Sequence, residues 1–280
     1  MLKNDFLRHC YRETGWVPMQ PLTRKLVLGD ICQIRHGRLQ PLLNIGDTHL
    51  VENLLVSHSI NLDEHAWTMS RGASQSFSET VTEQDQTGEN IQWTRQAVEF
   101  SSEGDFIFHA KTPRAQLLLN WHQIKDDLTL KLTQLHYGFR DAYVITGIAT
   151  SEEWGLAIAA QRDARLEMCA DVNSSDRFTL LSHNSARSER CSGIANYDMA
   201  HGETAYFFKA KRLVMSDAMF DRYMIGLVQN REELPGEEMA NWLDGDLFDR
   251  IKVNDLNLTS SIGFFSWADL SLDDVERFSD

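Results

Sequence analysis

The histidines and cysteines of this chain are its strongest prospects for chemistry, and their spacing decides what chemistry is open to it. His58 and His65 flank Asp63 and Glu64. That separation suits neither a helical ligand pair nor a tight zinc turn, and no HExxH arrangement occurs. The two rings read as surface histidines on polar strands. His122 with Asp126 and Asp127 reads as a solvated helix face rather than an acid–base group. Ser182-His183-Asn184-Ser185 lies in no GxSxG turn that would raise a serine nucleophile. No glycine-rich phosphate loop is present. The four cysteines, Cys10, Cys32, Cys169 and Cys191, are widely spread and form no CxxC pair. They read as reduced structural thiols of a cytosolic protein, and nothing near Cys169 or Cys191 in sequence would activate either. The sequence predicts no catalytic residue, no metal ligand and no cofactor, which leaves function to architecture.

Composition narrows the classes further. The chain is 42% hydrophobic and 24% charged, and its formal net charge is −14. The first two values are those of an ordinary globular protein. The third argues against a nucleic-acid partner, which needs Lys and Arg to replace phosphate counterions. It also argues against passive attraction to an anionic membrane. Residues 1–10 lack the long apolar core of a signal peptide. No segment approaches the roughly 18 to 20 apolar residues of a membrane helix. The expectation is a soluble, cytoplasmic protein.

The elements are organised around Asp141–Thr150, where Tyr143, Val144, Ile145, Thr146 and Ile148 run too closely for an amphipathic helix. This reads as a strand buried on both faces at the centre of a sheet. Glu152 and Glu153 read as a turn to a second apolar run, 154–160, making a hairpin. Ahead of it, residues 2–14 form an amphipathic helix stopped by Gly15, with short strands following up to Ile45. Residues 48–109 alternate weakly: Ile60 and Leu62, Phe77 and Val81, Ile91 and Trp93, Val98 and Phe100. Long antiparallel strands with only one moderately apolar face fit that pattern. Residues 113–137 read as a helix, with Thr112 as N-cap and Pro113 at its first position. In 161–204, Arg165–Ala170 and Arg177–Leu181 are candidate strands and Ser182–Gly193 is polar and turn-rich. Gly202–Val214 is a strand, and 219–228, 237–242 and 247–251 are helical. The last part, 252–280, sets Ile262, Phe264, Phe265, Trp267, Leu270, Leu272, Val275 and Phe278 among acidic residues. So much exposed aromatic surface must dock, on this chain or on a partner.

This order of elements resembles a bacterial gasdermin. The resemblance is carried by the Gly29-Asp30 and Gly37-Arg38-Leu39-Gln40-Pro41 turns, the strand Tyr143-Val144-Ile145-Thr146, and Gly202-Glu203-Thr204-Ala205-Tyr206-Phe207-Phe208 after a second polar-alternating segment. It extends over nearly the whole chain as an arrangement, through short and degenerate motifs. It implies an α+β fold, a twisted, mostly antiparallel central sheet with peripheral helices. It implies a pore-forming domain, 1–250, and a C-terminal autoinhibitory peptide, 251–280.

The function so implied is non-enzymatic. A protease removes the peptide, and the body then oligomerises as a β-barrel in the inner membrane, killing an infected cell in antiphage defence. The uncut form would be a cytoplasmic monomer, and the partners would be the protease, membrane lipids and further copies of the chain. Arg250 and Lys252 mark the cleavage region, and Phe264, Phe265, Trp267 and Leu270 would supply the autoinhibitory contacts. Loss of the tail from Ile251, with two basic and six acidic residues, moves the net charge from −14 to −10. Where the family often carries a lipidated cysteine close to the N-terminus, this chain has Cys10, which is either an acylation site or a buried core thiol. Two other classes stay open: a soluble interaction module whose aromatic tail docks on a partner, and an enzyme with a site assembled from distant residues.

Overall fold

The structure, a computed structural model, describes residues 2–19, 22, 24–35, 38–84, 90–134, 142–172, 176–215 and 265–277. In chain order these give α1 (Leu2–Thr14), β1 (Val17–Pro18), β2 (Asp30–Arg35), β3 (Arg38–Asn44), β4 (Ile60–Asn61), β5 (Thr68–Arg71), β6 (Ala73–Gln84), β7 (Asn90–Phe100) and β8 (Phe106–Lys111). There follow β9 (Arg114–Leu117), α2 (Trp121–Gln134), β10 (Ala142–Ala159), β11 (Ala164–Ala170), α3 (Arg177–Ser182), β12 (Arg187–Ser192), β13 (Ile194–Met215), β14 (Phe265–Asp269) and α4 (Leu272–Arg277). Pairing among the named strands is antiparallel throughout. The fold is α+β, two antiparallel sheets with few helices.

A ten-stranded sheet is built on β10. Its run Tyr143-Val144-Ile145 is fully buried, as a strand with apolar side chains on both faces must be. One edge of β10 is covered by β13, from Tyr143 opposite Arg212 to Ala159 opposite Ile194. The other is covered in succession by β2, β9 and β8. Helix α1 closes one face. Its Phe6 ring meets Phe106 and Phe108 at 5.4 and 5.2 Å, and Trp67 stands edge-on to Phe207 at 4.4 Å. Burying each such side chain is worth about 1.5–3 kcal/mol. Gly15, at φ +69°, ends α1 by donating its N–H to the Tyr11 carbonyl, the left-handed stop that glycine allows.

The second sheet has the order β12-β11-β7-β6. Val98, Phe100, Leu166 and Met168 pack with Ile107 and Ala157 of the large sheet and with Leu180 and Leu181 of α3. Helix α3 lies so close that a Cβ on Gly155 of β10 would stand 2.3 Å from the Leu181 carbonyl oxygen. Toward the far end of the sheet the core-facing positions turn polar. Thr94 pairs with Thr80 and Gln96 with Ser78 on the Val98 face, while Phe77 faces Ala97 and Val81 faces Trp93 on the other.

Several expectations are corrected. Glu152 and Glu153 make no turn: 142–159 is one strand with a bulge there, where the Ser151 hydroxyl donates to the carbonyls of Lys111 and Glu153. The two carboxylates pair across strands, Glu153 with Lys111 and Glu152 with Arg114. Thr112 caps no helix. At φ +47° it turns β8 into β9, and the helix starts only at Trp121, behind Asn120. Arg177–Leu181 is helical because Asp176 accepts from the N–H groups of Phe178 and Thr179. Arg187–Ser192, expected as turns, is β12. Of Ser57–His65 only Ile60–Asn61 pairs as strand, and Glu64–Trp67 is a 3-10 turn capped by Asp63. The helices expected at 219–228, 237–242 and 247–251 lie outside the described residues.

Candidate functional site

The tail is seated on this chain. Strand β14 pairs with the end of β13, Phe265 opposite Met215 through Asp269 opposite Lys211. Three side chains of β14 and its extension are packed. Trp267 stands edge-on to Trp121 of α2 at 5.0 Å, and its indole N–H donates to Thr129 Oγ1 at 2.9 Å. Leu270 is buried in a cluster with Tyr143, Phe208 and Val275, and the Tyr11 hydroxyl donates to its carbonyl. Phe265, partly buried as Trp267 is, packs against the cluster of Trp121 and Leu213. Of the four expected tail contacts, Phe265 and Trp267 pack on the α2 side of the sheet, and Leu270 packs with Tyr143 on the opposite side. Phe264 lies outside the described residues, as do Arg250 and Lys252.

Sequence reasoning missed the polar half of this site. Helix α4 is preceded by Ser271, whose N–H and hydroxyl both donate to Asp274 Oδ2, at 2.9 and 2.8 Å. Asp274 Oδ1 accepts from Arg212 Nη1 at 2.6 Å and from the Tyr143 hydroxyl at 3.0 Å. Asp274 is 1% exposed. Burial, then the neighbouring Asp274 charge, pushes the Tyr143 phenol well above its ordinary range. One acid among several in an acidic tail carries no local signal. The only clue was Ser271-x-x-Asp274, the spacing of a helix-capping pair.

Cys10 is fully buried on the sheet side of α1, and burial pushes its thiol up to about 12. His58, His65, His122, Asp126 and Asp127 are exposed. Ser182 pairs with a histidine no local motif announced: His109 Nδ1 lies 2.7 Å from Ser182 Oγ, and His109 Nε2 lies 3.5 Å from Glu64 Oε1. Ser182 is 1% exposed and its hydroxyl also meets the Phe178 carbonyl, so as folded the group pins α3 to β8. A cleft of 640 Å³ between residues 25–28 and β9 is lined by Val27, Val56 and Ile148, with Lys25 and Arg114 as its ionisable groups. Among the described residues no group of three His, Cys, Asp or Glu could hold a metal. No described helix is long and apolar enough to cross a membrane.

The described residues thus define an antiparallel α+β protein whose own C-terminal segment completes a sheet edge. No protein-family model matches the chain, and no curated protein matches it. Among solved structures it is similar to the gasdermin A3 membrane pore, at 10% sequence identity and a TM-score of 0.34, over 76% of this chain and 90% of that one.

Proposed function

We propose that the chain is an autoinhibited, non-enzymatic pore-forming protein. Residues 251–280 hold it as a cytoplasmic monomer. Cleavage near Arg250 and Lys252 lets the tail leave, and the freed body, residues 1–250, assembles as a β-barrel in the inner membrane and kills an infected cell. The observation that carries this reading is the placement of Phe77, Val81 and Trp93 on the face of β6 and β7 that turns away from the core. Glu79 and Arg95 share that face between them, but a soluble sheet gains little from the apolar side chains there, whereas a barrel strand needs such side chains facing lipid. Ser78, Thr80 and Thr82 alternate with them and supply the polar face a lumen requires. Strands enter lipid only as a closed barrel, so insertion requires a ring of copies. The order of elements that resembles bacterial gasdermins supports the same reading, and so does the tail's seat on β13. In this scheme acylation at Cys10 requires α1 to lift first.

Dye release from liposomes tests it, using the purified chain with a site-specific protease site placed near residue 252. Intact protein should leave vesicles sealed, and cut protein that has lost its tail fragment should empty them. Cut protein that has shed its tail fragment and still stays monomeric among sealed vesicles would end the reading.

A further inference from the structure

The ion pairs that hold the tail are unequal. Lys211 meets Asp269 at 2.6 Å and Arg8 meets Glu276 at 2.8 Å, but the two acid side chains are 81% and 43% exposed. Pairs so open to water add little. The Asp274 side chain is 2% exposed, and both its oxygens are satisfied, one by the body and one by its own helix start. Removing one partner of a buried pair is far more disruptive than the pair is stabilising, because the other charge is left without compensation.

Register makes the same point. Backbone pairing along β14 is alike at every second residue, so a slip of two would keep each side chain on its face. Asp274 reaches Arg212 and Tyr143 in one register only, the one that also places Trp267 against Trp121. We propose that Arg212 and Tyr143 form a carboxylate receptor on the body, that Asp274 is its occupant, and that this contact decides whether the tail stays after the chain is cut. The ligand it selects is an acidic peptide: an aromatic strand for the β13 edge, then a helical turn opening Ser-x-x-Asp. The inference rests on the pore-forming reading for its consequence alone, which is that cleavage does not suffice and the receptor must also be vacated.

The test needs no membrane. The full chain, carrying the protease site near residue 252, is cut in solution, and the rate at which the tail fragment leaves is followed by size exclusion and native mass spectrometry. Wild type and Asp273→Asn, which alters an exposed neighbour, should retain the fragment. Asp274→Asn and Arg212→Gln should release it on the order of 100-fold faster, the low end for breaking such a pair because Arg212 is partly exposed. Tyr143→Phe removes a single hydroxyl and should speed release about tenfold, so the receptor remains testable if a charge variant folds poorly. Equal retention by Asp274→Asn and wild type would overturn the proposal, as would immediate loss of the fragment from wild type. A retained fragment whose eventual loss leaves vesicles sealed would keep the receptor and discard the pore.

Discussion

Strands β10 and β7 each lie inside an antiparallel sheet, and they are held in different ways. Strand β10 has β13 on one edge, three strands in turn on the other, and apolar side chains such as Trp154, Leu156 and Ile158 fully enclosed. Strand β7 has β6 and β11 as neighbours, and a core on one face that fades beyond Val98 into Gln96 and Thr94. The hydrogen-bond ladders are of the same kind. What differs is the apolar cover, and local opening free energy follows cover rather than ladder length. If the chain forms a pore as proposed, the segment that refolds should be drawn from the poorly covered region, which is β6–β7.

The largest effect that would break this contrast is a truncation on each strand. Trp154→Ala should lose about 3–5 kcal/mol in urea unfolding, since Trp154 is 2% exposed within the aromatic cluster. Trp93→Ala, at a half-buried position, should lose less than half of that. Equal losses would mean that β7 is as well anchored as β10.

The contrast was partly legible in the sequence. The dense run at Tyr143–Ile148 announced an enclosed strand, and the sparse alternation around Phe77 and Val81 announced long strands, although those two side chains face away from the core. Glu152-Glu153 misled because a bulge inside a strand and a turn between strands use the same polar residues. Only the partners Lys111 and Arg114, supplied by neighbouring strands, separate the two cases. Thr112-Pro113 misled because a cap and a tight turn also share residue types. The aromatic half of the tail site was legible because exposed aromatics must dock somewhere. Its receptor was not, since Tyr143 and Arg212 lie 131 and 62 residues from Asp274 along the chain.

A smaller, pH-dependent effect sits at the junction of the two sheets. His109 on β8 holds Ser182 of α3, with Glu64 and the Asp176 cap as the charged groups that face it. Burial lowers its pKa, and the two carboxylates offset only part of that. The unfolded chain, with His near 6.5, therefore binds more protons than the folded one just below that value. Stability contributed by neutral His109 should be full above about pH 6.5 and should fall as the pH drops from there through the lowered folded value. Urea midpoints measured from about pH 7.5 to 5 should show this decline, and His109→Gln should flatten the part specific to the ring. An unchanged slope in the variant would remove His109 from the junction.

The smallest effect on folding is the most informative about function. Phe77 is 42% exposed on the outer strand of its sheet. Phe77→Lys should change the stability of the uncut chain by no more than about 0.5 kcal/mol, since a charge on an exposed edge strand is well tolerated. In a barrel the same side chain would face hydrocarbon, where a lysine costs about 2–4 kcal/mol near the bilayer centre. That cost recurs in every copy of a ring. Cut Phe77→Lys protein should therefore keep the unfolding curve of wild type and lose most of its dye release, while Phe77→Leu keeps both. If Phe77→Lys empties vesicles as wild type does, the stripe does not face lipid, and β6–β7 is an ordinary solvated hairpin. If it unfolds the uncut chain, Phe77 belongs to the cover of its sheet, and the contrast between the two strands is smaller than their exposure implies.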